Sequence, residues 1–333
     1  MNRLTLLAVF VLPLVLLGAL RGADPAPPAA VVVADKHIDL LAGGELVGRY
    51  HIDPALPKPH FHPLNGPTGR PVTRGFPMIK DVPGEAKDHP HQRAVWFCHG
   101  DVIPEGITLD QRIKGVDGVD FWSEASGHGR IVCVEVGKPQ AEKNHAWVTT
   151  RNEWRTAGGV KIMDEQRTIH LYNLGSARLL VFDIDLHASV VPITFGDTKE
   201  GSLGVRVAET MTEKRGGVLE NAEGKRTEKE VWGRRSAWCD YSGPVDGKIV
   251  GIALFDDPKN PSPALWHARG YGLMAANPFG RARSGFPDAK DQKELVRLAK
   301  GEHLTLRYGL LLHPGDAKTG KVAEHYQTFV RLR

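Results

Sequence analysis

Along most of this chain apolar and polar residues alternate in short runs rich in Val, Ile, Leu and aromatics, separated by Gly, Pro, Asn and Asp. The clearest runs cover residues 45–52, 130–136, 146–154, 160–172, 177–187, 248–255 and 304–312. Each has the period of a half-buried strand, because successive side chains of a strand point to opposite faces. In 160–172, Ile162, Arg167 and Ile169 stand against Lys161, Asp164, Glu165 and Gln166. In 181–186, Phe182, Ile184 and Leu186 share one face, and Asp183 and Asp185 share the other. About a dozen such segments are expected. Helical spacing is scarce, and its best case is 321–332, where Val322, Phe329 and Val330 share a stripe with Tyr326. Alternating βα units would need helical patterns between strands, and there are none. The expected fold is therefore all-β: antiparallel sheets packed face to face, with few short helices.

The first residues depart from this pattern. Arg3 precedes an uncharged apolar run, Leu4 to Leu20, broken only by Thr5, Pro13 and Gly18, and a Pro/Ala-rich stretch follows from Asp24. That order is the pattern of a secretory signal, and the run is slightly short of the ~20 residues a spanning helix wants. The expected organisation is a signal peptide at 1–23, a Pro/Ala-rich tether at 24–35 and a single β-sandwich domain at 36–333. The mature protein is expected to be periplasmic or secreted, with no membrane contact. Of the three cysteines, Cys98, Cys133 and Cys239, each lies in an apolar run, so three buried thiols are expected rather than a bridge.

Composition narrows the function classes. The 333 residues are 41% hydrophobic and 25% charged, ordinary for a globular protein. The formal charge is +4, falling to +2 without Arg3 and Arg21, and the charges are dispersed, so no nucleic-acid partner is implied. No Gly-rich phosphate loop and no Gly-x-Ser-x-Gly nucleophile motif is present.

Chemistry is concentrated between residues 51 and 99, which hold six of the fifteen histidines. The stretch 54–90 is dense in Pro, Gly and His, and long loops of this kind are often functional. His60-Phe61-His62 and His89-Pro90-His91 are two His-x-His pairs, and in an extended segment such residues point the same way. On one reading His60, His62, His89 and His91 are metal ligands, since imidazole suits Zn, Cu, Fe or Ni. On another, Arg74, His89, Gln92, Arg93 and Asp101 bind hydroxyls or a carboxylate. His91 or His99 then acts as acid or base, with Trp96 as a flat face for a sugar ring. On a third, these side chains only fix loop backbone. A second group, Trp266-His267-Ala268-Arg269 with Asn277-Pro278, has the residue types of carbohydrate and carboxylate pockets. Asp101, Glu124 and Glu209 would make a carboxylate site only if they converged. Whether the two groups share one pocket depends on strand order.

The segments 73–77, 88–101 and 271–280 together resemble an exported bacterial family, DUF6807, also labelled methane oxygenase PmoA-like. The resemblance covers most of the chain. Against the family pattern His-His-Arg-Gly, this sequence reads His91-Gln92-Arg93-Ala94. The label conflicts with the sequence, because particulate methane monooxygenase subunits cross the membrane several times and no spanning segment follows the leader. The family is similar to galactose-mutarotase-like proteins, which implies an antiparallel β-supersandwich with a carbohydrate groove. On that basis the expected activity is sugar transformation as a mutarotase, lyase or glycosidase, needing no cofactor. His91 and His99 would be the acid/base residues. Arg74, His89, Gln92, Arg93 and Asp101 would position the substrate, and Trp266 and Asn277 would close the pocket. The alternatives are a non-catalytic carbohydrate-binding protein using Trp96, Trp266 and Arg93, and a metal-dependent oxidoreductase using the four histidines.

Overall fold

The computed structural model describes residues 28–332, so the signal peptide expected at 1–23 lies outside the described residues. The architecture is the expected one. An eight-stranded sheet runs in the order Ala29–Val33, His37–Ala42, Glu45–His51, His60–Leu64, Val95–His99, Gly201–Arg206, Leu273–Asn277, Leu265–Trp266. A second sheet runs Val218–Asn221, Trp238–Val245, Lys248–Asp256, His303–Pro314, Arg178–His187, Lys161–Asn173, His145–Arg155, Arg130–Val136, with Gln140–Glu142 paired beside His145–Arg155. A three-stranded ribbon joins Val296–Leu298, Ile193–Phe195 and Val102–Pro104. Strand pairing is antiparallel throughout.

The inner faces of the two large sheets form one continuous apolar core. Phe61 meets Phe182 edge-on at 6.0 Å, and Phe97 meets Trp154 at 6.2 Å. On the outer face of the second sheet, the predicted C-terminal helix forms over Val322–Arg331. It buries Val322 and Phe329 against Leu179, Val181, Phe255 and Leu311, with Tyr326 and Val330 alongside. Among the described residues no helix is long and apolar enough to cross a membrane.

Two local expectations are corrected. The tether assigned to 24–35 is ordered structure at Ala29–Val33, which pairs residue for residue with His37–Ala42. Its three consecutive valines favour an extended backbone over a flexible linker. Glu165, grouped above with the polar residues that stand against Arg167 and Ile169, is fully buried: two residues from Arg167 and four from Ile169 it shares their face, and the register shift between Lys161 and Met163 instead brings Ile162 to the buried side. Glu165 and Arg167 then share the inner face. Arg167 Nε donates to Glu165 at 2.6 Å, Arg167 Nη1 donates to the Tyr50 hydroxyl at 2.7 Å, and Trp154 Nε1 and Asn152 Nδ2 donate to Glu165. The pair therefore satisfies its charges inside the core and ties the second sheet to Tyr50 of the first. The three thiols are free, Cys98 and Cys239 buried and Cys133 partly so.

Arg167→Met leaves a buried carboxylate without its partner, so urea unfolding should show a loss of about 3–5 kcal/mol, and Glu165→Leu/Arg167→Met should regain most of it. A single variant as stable as the wild type would show that the pair is not what balances Glu165.

Candidate functional site

The structure brings the two motif groups together in a cleft of about 640 Å³. His89, His91 and Gln92 line it from one side, and His267, Arg269 and Tyr271 from another. Trp122, Asp120, Lys199, Glu200 and Glu228 complete the polar wall. The cleft lies outside the eight-stranded sheet. Phe97 points inward to Trp154, so its neighbour Trp96 points outward, where it meets Trp122 edge-on at 5.0 Å. Trp122 covers Trp96 and presents its own ring to the cleft, 6.4 Å from both the His91 and His267 rings.

The loop carrying His89 and His91 is fastened from beneath by buried charge. Asp88 Oδ1 accepts from Arg74 Nη1 at 2.6 Å and from Arg206 Nη2 at 2.9 Å. Arg74 also donates to the Asp88 and His89 carbonyls. Arg206 donates to Gln92 Oε1 at 2.6 Å and lies 4.4 Å over the Tyr271 ring. Gln92 Nε2 in turn donates to the Tyr271 hydroxyl at 3.4 Å. His89, held at φ 43°, stacks on Tyr271 at 5.1 Å and meets His91 edge-on at 5.6 Å. Among the described residues neither ring nitrogen of His91 has a hydrogen-bond partner. Burial, helped by the positive charge of Lys58, lowers the His91 pKa to about 4, so its imidazole is neutral at pH 7.

A second clamp places Trp122. Lys58, fully buried, donates to the carbonyls of Phe121 and Trp122 and to Glu124 Oε1 at 2.8 Å. Arg93 holds both oxygens of Glu124, with Nε and Nη2 each 2.9 Å from one oxygen. Burial alone would raise the Glu124 pKa, but Lys58 and Arg93 overcome it and hold the group at about 2. Across the cleft, His267 Nε2 accepts from Arg269 Nε at 3.3 Å, so its proton sits on Nδ1. Burial and the charges of Arg269 and Lys199 lower the His267 pKa to about 3. Arg269 also pairs with Glu228 at 2.6 Å.

The predicted site residues therefore divide. His89, His91 and Gln92 line the cleft, whereas Arg74 and Arg93 act beneath it as clamps. His99 does not reach it: the ring lies between Phe195 and Phe279, and Nε2 is bonded to the Gly196 carbonyl at 2.8 Å. Trp96 lies under Trp122 and does not line the cleft; both rings are almost fully buried, and Trp122 is the one that borders the cavity. Trp266 is in the core with Nε1 donating to the Ser236 carbonyl, and its neighbour His267 faces the cleft instead. Asn277 is buried and holds a turn through Phe279 N and Gly280 N, while its Nδ2 supports Thr198 at the cleft wall. Asp101, bonded to Gly118 N at 2.7 Å, lines a smaller adjoining cavity. Asp101, Glu124 and Glu209 do not converge. Nor do the four candidate ligands: His60 stacks on His51 at 5.2 Å with Nδ1 on the Lys58 carbonyl, away from the cleft-lining His89 and His91. Among the described residues no group of three or more His, Cys, Asp or Glu is arranged to hold a metal ion. Missed from the candidates were Trp122, Lys199, Glu200 and Glu228, which stand in no motif. Tyr271 was missed as well, although it stands inside a segment singled out above, whereas His267 was named in the second group without being given a role of its own.

Fold and site together define an all-β, antiparallel two-sheet protein with an aromatic and polar cleft outside one sheet. The chain belongs to DUF6807, a family of unknown function, which matches residues 37–327. None of the curated proteins matches the sequence. Among solved structures it is similar to an α-galactosidase from Lactobacillus brevis at 8% identity and TM-score 0.45, covering 90% of this chain and 41% of that one. A galactose mutarotase-like protein from Clostridium acetobutylicum matches at 11% identity and TM-score 0.38, covering 85% and 94%. Galactose 1-epimerase from Lactobacillus acidophilus matches at 9% identity and TM-score 0.41, covering 87% and 99%. At such scores the likeness assigns no activity to this chain.

The Glu124 clamp predicts a pH signature. Its folded pKa of about 2 lies below the ordinary 4.5, so the stabilisation, about 3 kcal/mol, is complete above pH 4.5 and is lost as pH falls towards 2. Unfolding free energies of wild type and Glu124→Gln should therefore converge over that window; a constant gap would refute the clamp's charge.

Proposed function

We propose that the cleft binds a carbohydrate or a closely related polyhydroxylated molecule and transfers protons on it through His91 and Tyr271. The observation that carries this reading is the convergence of residues 89–92 and 267–271 on one cleft in which aromatic rings alternate with hydrogen-bonding groups. Sugar rings have apolar C–H faces and polar edges, and Trp122, His89, His267 and Tyr271 offer surfaces for the former while Asp120, Lys199, Glu200 and Glu228 serve the latter.

The proton chemistry follows from the bonding of the two groups. Neutral His91 has unpaired ring nitrogens and accepts a hydroxyl proton. The Tyr271 oxygen is occupied by the Gln92 amide, which leaves the hydroxyl hydrogen free to donate. Burial raises the Tyr271 pKa, so it stays protonated at neutral pH. Base and acid then flank His89, which touches both rings. Export, expected from the leader at 1–23, belongs to the same proposal and would place the cleft where extracellular or periplasmic sugars are available. A second reading is sugar binding without turnover, favoured by the depression of His91 to about 4, which makes it a weak base.

A panel of sugars followed by NMR tests both. With a responding sugar, His91→Asn and Tyr271→Phe should each lower kcat about 10²–10⁴-fold with KM changed only a few-fold. The acid limb of kcat/KM should fall near pH 4, where His91 is charged in the free protein, rather than near 6.5. Full activity in His91→Asn would end the catalytic reading, and saturable binding without product would establish the second one.

A further inference from the structure

The cleft does not end at its own walls. On one side it adjoins a cavity of about 190 Å³, and the two share Gly100, Gly115, Val116, Thr198, Lys199 and Glu200. On another it meets a cavity of about 440 Å³ across Glu228 and Tyr271. The central volume of about 640 Å³ is already within the roughly 300–1,000 Å³ range of complete small-molecule sites. A ligand confined to the centre would leave both flanking cavities to water.

The three cavities differ in lining. The aromatic rings Trp122, His91 and His267 are confined to the central cleft. The smaller flank is polar, with Asp101, Asp197, Arg283 and Ser284. The larger flank carries Glu209, Thr212, Glu213 and Lys214. The smaller flank offers no apolar wall for a lipid or other hydrophobic extension, and the larger one sets Ala86 and the Tyr271 ring beside its carboxylates and Lys214, a mixed surface like that of the centre. Both offer donors and acceptors, the requirement of further hydroxyl-bearing units. Gly100 lets the two segments of the shared wall pack against each other: its N–H donates to the Glu200 carbonyl at 2.7 Å, and a Cβ there would lie 2.8 Å from Glu200 Cβ and 3.0 Å from that carbonyl oxygen.

Resting on the carbohydrate reading above, we infer that the ligand is an oligosaccharide. One sugar unit sits on the aromatic floor of the central cleft, and neighbouring units extend into the polar smaller flank and the mixed larger one. A free monosaccharide would fill only the centre. Hydrogen bonds in the flanks are water-accessible, so each adds modestly, and affinity rises by accumulation along the chain.

The test uses immobilised and free sugars in homologous series of one to six units, neutral, amino and uronic, with binding measured by calorimetry on the full chain. For a responding series, affinity should rise at least tenfold between one and four units and then level off. Arg283→Ala and Lys214→Ala, both at exposed positions in separate flanks, should each cut the ratio of four-unit to one-unit affinity at least threefold, with circular dichroism showing an unchanged fold. A monosaccharide bound as tightly as its oligomers, with no response to either variant, overturns the oligosaccharide inference and leaves the sugar reading standing. No binding of any sugar at any length overturns both.

Discussion

One carboxylate oxygen holds the cleft in shape. Arg74 and Arg206 are buried side by side, and two guanidinium charges in a poorly polarisable interior repel unless an anion stands between them. Asp88 Oδ1 accepts from both. Because Arg206 ends a strand of the eight-stranded sheet and Arg74 and Asp88 belong to the long loop before Val95–His99, this contact fixes loop to sheet. Everything above it follows: the His89 backbone accepts from Arg74, Gln92 accepts from Arg206, and Tyr271 lies beneath the Arg206 guanidinium. The loop is long and poor in regular structure, and its turn at residues 89–94, closed by Gln92 N on the His89 carbonyl and Arg93 N on the His91 carbonyl, is anchored to the sheet through this charge balance.

The site separates groups that hold from groups that face the ligand space. The charges beneath the cleft, Lys58, Glu124, Arg93, Arg74, Asp88 and Arg206, are paired and spend their interactions on the protein. The groups lining the cleft are neutral rings together with charges of both signs, Lys199 and Arg269 against Asp120, Glu200 and Glu228. Burial keeps His91 and His267 uncharged, the state in which an imidazole offers a free lone pair or a defined N–H. Such a surface suits uncharged, polyhydroxylated partners better than strongly ionic ones, because it presents donors and acceptors without a dominant sign of charge.

Much of the fold was legible along the chain. The strands at Arg130–Val136, Lys161–Asn173 and Arg178–His187 and the helix at Val322–Arg331 fall within a residue or two of their hydrophobic patterns, since burial against one face imposes the period. The site was legible by segment rather than by residue. Both motif groups reach the cleft, yet within each the choice depended on which face a side chain took. Trp266 and His267 are adjacent, and in extended chain one turns to the core and the other to the cleft. Trp96 carries the chemical type of a flat apolar platform, but it lies beneath Trp122, which lines the cleft in its place. Glu165 obeys the alternation, on one face with Arg167 and Ile169, and its polar type disguised this, because only its partner Arg167 makes the burial tolerable.

The sequence by itself determined the strand-rich class, the ends of the main strands and helix, and the two stretches where polar and aromatic groups concentrate. These are local properties, written in the period of hydrophobic residues and in composition. Only the tertiary structure decided that the two stretches form one cleft, that Arg74, Arg93 and His99 lie outside it, and that Trp122, Lys199, Glu200 and Glu228 belong to it. Those outcomes depend on strand order and on charge pairs between residues far apart in the chain, and neither is encoded in local spacing.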